Sequence, residues 1–320
     1  MATLLQERAV AAGVIGGGAG YLPSWTPALG SNEVTNGGME GAFNHVAAGI
    51  DIASGWDSTG LTTGQDTAAA DTVNFHSGLS SQRLTLSVAP RGINEHASFP
   101  VTLGVWYSLD AYVYLYSGTM QFRSNSKLNA LVSLTKTTPT GSWLAFPLTG
   151  RCVTAGNVDL YAVSVTGAAD FSIDDISLAP IPLANTLGYS YTTANGDFDI
   201  QVPVKCVKGT QIGFACNLDS KTNPKYGAWV YIDGTNIYLD SLSNGTWTSV
   251  LAGTAITYVD NAPIRLRKTG TTYSVYYNQA QKGTDKTIND AGINNNTLHA
   301  QFLTYGGNAF TARPSVLPFS

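Results

Sequence analysis

Leu109, Ala111, Val113 and Leu115 alternate with Asp110, Tyr112, Tyr114 and Tyr116. That period of two confines the segment to a strand with one apolar and one polar face. Short runs of the same kind recur at 83–88, 120–123, 128–134, 143–148 and 158–165. They continue at 197–204, 211–218, 227–232, 236–239, 246–251, 264–267, 272–277 and 297–303. Turn-forming clusters separate them, among them Pro90 to Gly92, Tyr116 to Gly118, Asp233-Gly234, Asn244-Gly245 and Asn278-Gln279. Helical periodicity is absent. The expected fold class is all-β: two antiparallel β-sandwich (jelly-roll) domains in tandem, with an extended N-terminal arm.

The boundary between the two is read at Phe171 to Leu178, followed by Pro180 and Pro182. Phe171, Ile173, Ile176 and Leu178 read as inward residues, and Asp174-Asp175 breaks the alternation where a small bulge would turn one carboxylate inward. The prolines remove ladder donors, so pairing is expected to stop there. The resulting division is an arm at 1–30, a first sandwich at 31–180, a linker at 181–186, a second sandwich at 187–313 and a tail at 314–320. With 320 residues, each sandwich can bury its own core. Trp25, between Pro23 and Pro27, reads as an aromatic anchor with which the arm docks on a neighbouring chain, and the tail is expected to lie on a neighbour too.

Charged residues make up 12% of the chain and its formal charge is -4. Such a surface has no basic field for phosphate, which argues against nucleic acid. No run of about 18 apolar residues exists, so no membrane insertion is expected. Residues 1–20 do not match an export signal, because Glu7 spoils the charged front and glycines dilute the apolar stretch. Cys152, Cys206 and Cys216 are too few for a disulfide framework and read as buried free thiols. His45, His76, His96 and His299 are scattered, and no nucleophile elbow, zinc-protease or phosphate-loop motif occurs. Asp110, Glu95, Asp51 and Asp57 form no evident carboxylate pair of the kind glycoside hydrolysis needs. A non-enzymatic role follows.

The tyrosine row is the main candidate site. Side chains two residues apart on a strand are about 7 Å apart, so Tyr112, Tyr114 and Tyr116 could stack on successive sugar rings while Asp110 bonds their edges. The same row would equally suit a sheet face packed against a protein.

The opening Asn36 to Glu40, Trp56, the Phe75 to Gly78 turn, the tyrosine strand, Trp143 and the closing Phe171 to Ile176 resemble a jelly-roll carbohydrate-binding module. That resemblance implies glycan binding by Tyr112, Tyr114, Tyr116, Asp110, Trp56 and Trp143. It also implies a structural Ca2+ held by Glu40 with Asp174 or Asp175, oxygen ligands that suit this ion; ordinary capping and turn hydrogen bonds by the same carboxylates are the alternative reading. Residues 187–313 resemble a laminin-G or concanavalin-like sandwich through Ile264 to Gly270, Tyr273 to Asn278 and Asn296 to Phe302. The combination resembles tailed-bacteriophage virion structural proteins. It implies a capsid decoration, tail or fibre component, homo-oligomeric and bound to other virion proteins, assembled in the host cytoplasm, and contacting cell-surface or environmental polysaccharide. The alternatives are a secreted or cell-surface carbohydrate-binding accessory protein, which would be extracellular, and a purely structural cement protein.

Overall fold

The computed structural model describes residues 24–34, 36–95, 99–124, 128–129 and 134–318. His96, most of the arm and much of the expected strand at 128–134 lie outside them. The fold is all-β, and the described residues divide into two compact units, 29–180 and 24–28 with 181–318. No helix among them is long and apolar enough to cross a membrane.

The N-terminal unit is built on two long strands, Trp106–Ser124 and Leu160–Ile181. Each changes partners along its length. Leu160–Ile181 pairs first with Gly92–Glu95 and then with Ser81–Leu86, which in turn pairs with Thr67–Asp71. Trp106–Ser124 pairs with Leu148–Cys152, Leu144–Ala145 and Leu134–Lys136 in succession. Leu109, Ala111, Val113 and Leu115 are buried with Leu84, Phe171 and Ile173 in one core, as their alternation requires.

The turn expected at Tyr116 to Gly118 does not form. The strand continues, and Gly118, at φ 80°, lets it pass close to the facing strand: a Cβ there would lie 2.2 Å from the Ala168 carbonyl oxygen. Gly118→Ala should therefore destabilise the unit by about 1–3 kcal/mol, the usual cost of forcing a non-glycine residue into such backbone. Urea unfolding checks this, and an unchanged midpoint would contradict the close approach.

The expected break at Asp174-Asp175 is present as a left-handed residue, Asp175 at φ 47°, after which Ile176 and Leu178 return to the core. Pairing runs past Pro180 to Ile181 and stops before Pro182. Pro180 uses only its carbonyl, which accepts from Gly30 N at 2.8 Å, so its missing N–H costs nothing.

The C-terminal unit is a sandwich of two antiparallel sheets. One has the order 187–192, 298–303, 212–218, 227–232, 236–243, 246–255, and the other centres on 272–277, 263–269 and 198–205. Phe198, Ile200, Phe214, Val230, Leu239, Leu266 and Val275 fill the space between them. The hairpin turns fall where expected, with Asn244 and Gly245, and likewise Asn278 and Gln279, at positive φ.

Three expectations for the flanking segments need correction. The boundary between the units falls after Pro180, and the 181–186 stretch, expected as a linker, lies within the C-terminal unit: the strand runs to Ile181, and a 3-10 turn at Leu183–Thr186 follows. Trp25 docks on its own chain, stacking on Phe310 with ring centroids 6.0 Å apart and donating to the Asn185 carbonyl at 3.0 Å. The tail pairs with its own sandwich through Ser315 and Val316 beside Gln201 and Ile200, because the strand Phe198–Lys205 still offers hydrogen-bonding groups there. All three cysteines are buried thiols.

Candidate functional site

On the outer face of the N-terminal unit, the tyrosine row is one part of a longer strip of planar groups. Leu144 and Ala145 pair with Val113 and Tyr112, and Thr140 hydrogen-bonds Leu115 in both directions. These contacts lay the 140–145 segment beside the tyrosine strand and deliver Trp143 to it. Tyr114 meets Trp143 edge-on at 5.9 Å and Tyr116 at 4.7 Å. His76 meets Trp143 at 6.0 Å and stacks flat on Tyr112 at 3.5 Å. At the far end the Arg83 guanidinium lies 4.2 Å over the Tyr116 ring. The order Tyr112, His76, Trp143, Tyr114, Tyr116, Arg83 is thus continuous, and its three tyrosines and Trp143 are half-buried.

The polar groups beside the strip hold it rigid. Arg83 forms a two-pronged ion pair with Asp170, at 3.1 and 2.9 Å, the geometry in which Arg–carboxylate pairs are strongest. Tyr116 donates to Asp71 at 3.0 Å and Ser172 does so at 3.2 Å. Burial works to raise the Asp71 pKa, but the N–H groups of Asn74 and Val73 and these two hydroxyls hold it below its ordinary value. Next to Arg83 the face dips into a hollow of about 300 Å³ lined by Thr67, Ala69, Asp71 and Thr85.

Glu40, Asp174 and Asp175 do come together, and what they share is the 72–80 loop. Glu40 accepts from Leu79 N and Ser80 N at 2.6 and 3.2 Å. Asp174 accepts from His76 N and Ser77 N with one oxygen and from Asp175 N with the other. Asp175 lies 2.6 Å from His76 Nδ1 and accepts from Ser77 Oγ at 2.8 Å. Asp71 adds bonds from Val73 N and Asn74 N. These carboxylates pin the loop that carries His76 onto Tyr112. Their oxygens face N–H and O–H donors, an arrangement that fits loop anchoring better than a cation. Among the described residues no three His, Cys, Asp or Glu side chains are placed to hold a metal ion.

Burial raises the Asp174 pKa from 3.8 to about 6. A carboxylate whose folded value exceeds its unfolded value contributes stability below the unfolded pKa and loses it as pH rises through the folded one. Protection of the Ser77 and Ile176 amides from hydrogen exchange should therefore fall between about pH 4 and pH 6, and Asp174→Asn should flatten that slope. A rise across the window would contradict it. The readout has to be local because His299, in the C-terminal unit, acts oppositely. Burial lowers its pKa from 6.5 to about 3, so the charge-free state it needs is lost as pH falls.

Two expected site residues do not belong to the strip. Trp56 is 3% exposed and lies in the core, because its strand, Trp56–Thr59, turns the indole inward opposite Glu95. Asp110 shares the tyrosine face but bonds Ser108 at 2.9 Å, and burial raises its pKa. His76, Arg83, Asp71 and Asp170 were not nominated from sequence. The alternation of Ser81–Leu86 would have placed Arg83 on this face, whereas His76 arrives through a loop that no periodicity describes.

No family model matches this chain, and no curated protein does. Similar solved structures include TmCBM61 in complex with β-1,4-galactotriose, at 18% identity over 47% of this chain and 98% of that one, with a TM-score of 0.35. The CBM22-1 xylan-binding domain from Paenibacillus barcinonensis Xyn10C has 13% identity over 49% and 96%, TM-score 0.33. The tandem CBM22-1-CBM22-2 domains of the same protein have 8% identity over 92% and 100%, TM-score 0.33. These are likenesses to sandwich modules.

Proposed function

We propose that the N-terminal unit binds glycan chains across the strip formed by Tyr112, Trp143, Tyr114 and Tyr116. The observation that carries this reading is the continuous run of half-buried rings, fixed from behind and flanked by a polar hollow. Amphipathic rings with apolar faces and polar rims suit the apolar faces and hydroxyl edges of sugars, and a site already rigid loses little entropy on binding. The test is a glycan array probed with the parent protein and with Tyr114→Ala/Trp143→Ala. Signals that vanish in the folded variant support the strip; a folded parent that binds nothing assigns the rings to protein packing and the chain to a cement role.

The finer assignment is a non-enzymatic virion component that displays this face in many copies. It rests on the sequence resemblance and on the gain that multiplicity gives weak sites. Light scattering of the purified chain tests the multimer, and mass spectrometry of purified particles tests the location.

For Glu40, Asp174 and Asp175 we propose anchoring of the 72–80 loop without an ion. Millimolar calcium is expected to leave the melting temperature unchanged. A rise that a chelator reverses and Glu40→Gln abolishes would instead assign a structural calcium.

A further inference from the structure

The C-terminal unit carries an open cleft of about 710 Å³ between the 194–197 loop, the Gly270 turn and the short helix Ala291–Asn294. Beneath it Lys268 is 1% exposed. Its ammonium donates to the Gly196 carbonyl at 2.9 Å, Asp197 Oδ1 at 3.0 Å and the Asn294 carbonyl at 3.2 Å. Burying a lysine is costly unless every N–H is satisfied, and here each one ties down a wall of the cleft.

Asparagines complete the frame. Asn217, at φ 51°, donates to the Gly196 and Asn296 carbonyls. Asn296 donates back to Asn217 O and to Gly292 O, at 3.1 and 2.7 Å. Tyr273 donates to Asn294 Oδ1 at 2.8 Å, and Asp197 also accepts from Gly270 N at 2.9 Å. The walls are thus set before any ligand arrives.

The lining decides the ligand's chemistry. Asp197 is the one carboxylate lining the cleft among the described residues, and the buried ammonium beside it disfavours a cation, while Asp197 itself disfavours an anion. Asn195, Thr271, Asn295 and Thr297 offer donors and acceptors at the rim, and among the described residues no aromatic ring lines it. We infer that this cleft is a second binding site, separate from the tyrosine strip, for a compact neutral ligand with adjacent hydroxyls, such as one terminal sugar unit. It is held by hydrogen bonds rather than by stacking.

The test uses the full chain carrying Tyr114→Ala/Trp143→Ala, so that the strip is removed, and saturation-transfer NMR with the methyl glycosides of glucose, galactose, mannose and xylose. Saturation transfer is expected to at least one probe. It should disappear when Thr271→Trp fills the cleft and weaken several-fold in Asn295→Ala, with melting curves confirming that each variant is folded. Both positions are exposed, and should Thr271→Trp fail to fold, Asn295→Ala decides. Absence of transfer to all four probes, transfer that both variants leave undiminished, or transfer that requires added calcium would overturn the inference.

Discussion

Tyr114→Ala/Trp143→Ala is expected to remove glycan-chain binding at the strip while leaving the protein folded. Tyr114 sits between Tyr116 and Trp143, so its loss divides the strip, and loss of Trp143 removes the ring that links it to His76. Truncating anchor side chains of this kind costs about 2 kcal/mol or more each. The pair should then cost at least about a thousandfold in affinity, since about 1.4 kcal/mol is a factor of ten. Neither ring belongs to the core of the N-terminal unit, so unfolding midpoints should move little. Calorimetric titration with an array-positive oligosaccharide checks the effect, and an unchanged affinity in the folded double variant would contradict it.

Trp56→Ala is expected to do the reverse, lowering the stability of the N-terminal unit by about 3–5 kcal/mol, the usual cost of truncating a buried tryptophan. The folded molecules that remain should bind glycan as the parent does. The ring is buried among core residues, so its loss leaves a cavity rather than an open site. Trp56→Phe should recover part of the loss. Urea unfolding separates the possibilities: a stable Trp56→Ala variant that no longer binds sugar would restore this residue to the site.

The contrast between Trp56 and Tyr114 shows how far the sequence could be read. Within one strand the period of two is unambiguous, so the tyrosine face and its buried counterpart at Leu109 to Leu115 follow from residue order alone. Trp56 lies in a four-residue strand where two alternations fit equally well, and only its pairing with Gly92–Glu95 settles which side is inward. The turn expected at Gly118 failed for a similar reason. A positive-φ glycine marks either a chain reversal or a close approach between strands, and the distinction lies in Ala168, fifty residues further along the chain.

The carboxylates were legible as a group, with a calcium ion and turn hydrogen bonds as the two readings of their role. Glu40 and Asp174 are brought to the same loop because the opening and closing segments pair, Ile176 N donating to Gly37 O at 2.8 Å. Which donors they would find there depends on the path of the 72–80 loop, and that path places His76 on Tyr112. Likewise Lys268 continues the alternation of a strand whose neighbours Ile264 and Leu266 are core residues. Its pattern gives the inward direction, while the three acceptors that make burial tolerable come from the 194–197 loop and the short helix Ala291–Asn294, far away in sequence.

The most direct measurement is a crystal structure of the protein with an oligosaccharide selected on the array. Sugar rings stacked over Tyr114 and Trp143, with hydroxyls reaching the hollow beside Arg83, are the expected result. A sugar bound only elsewhere, with the strip covered by another protein chain, would contradict the assignment of this face to glycan.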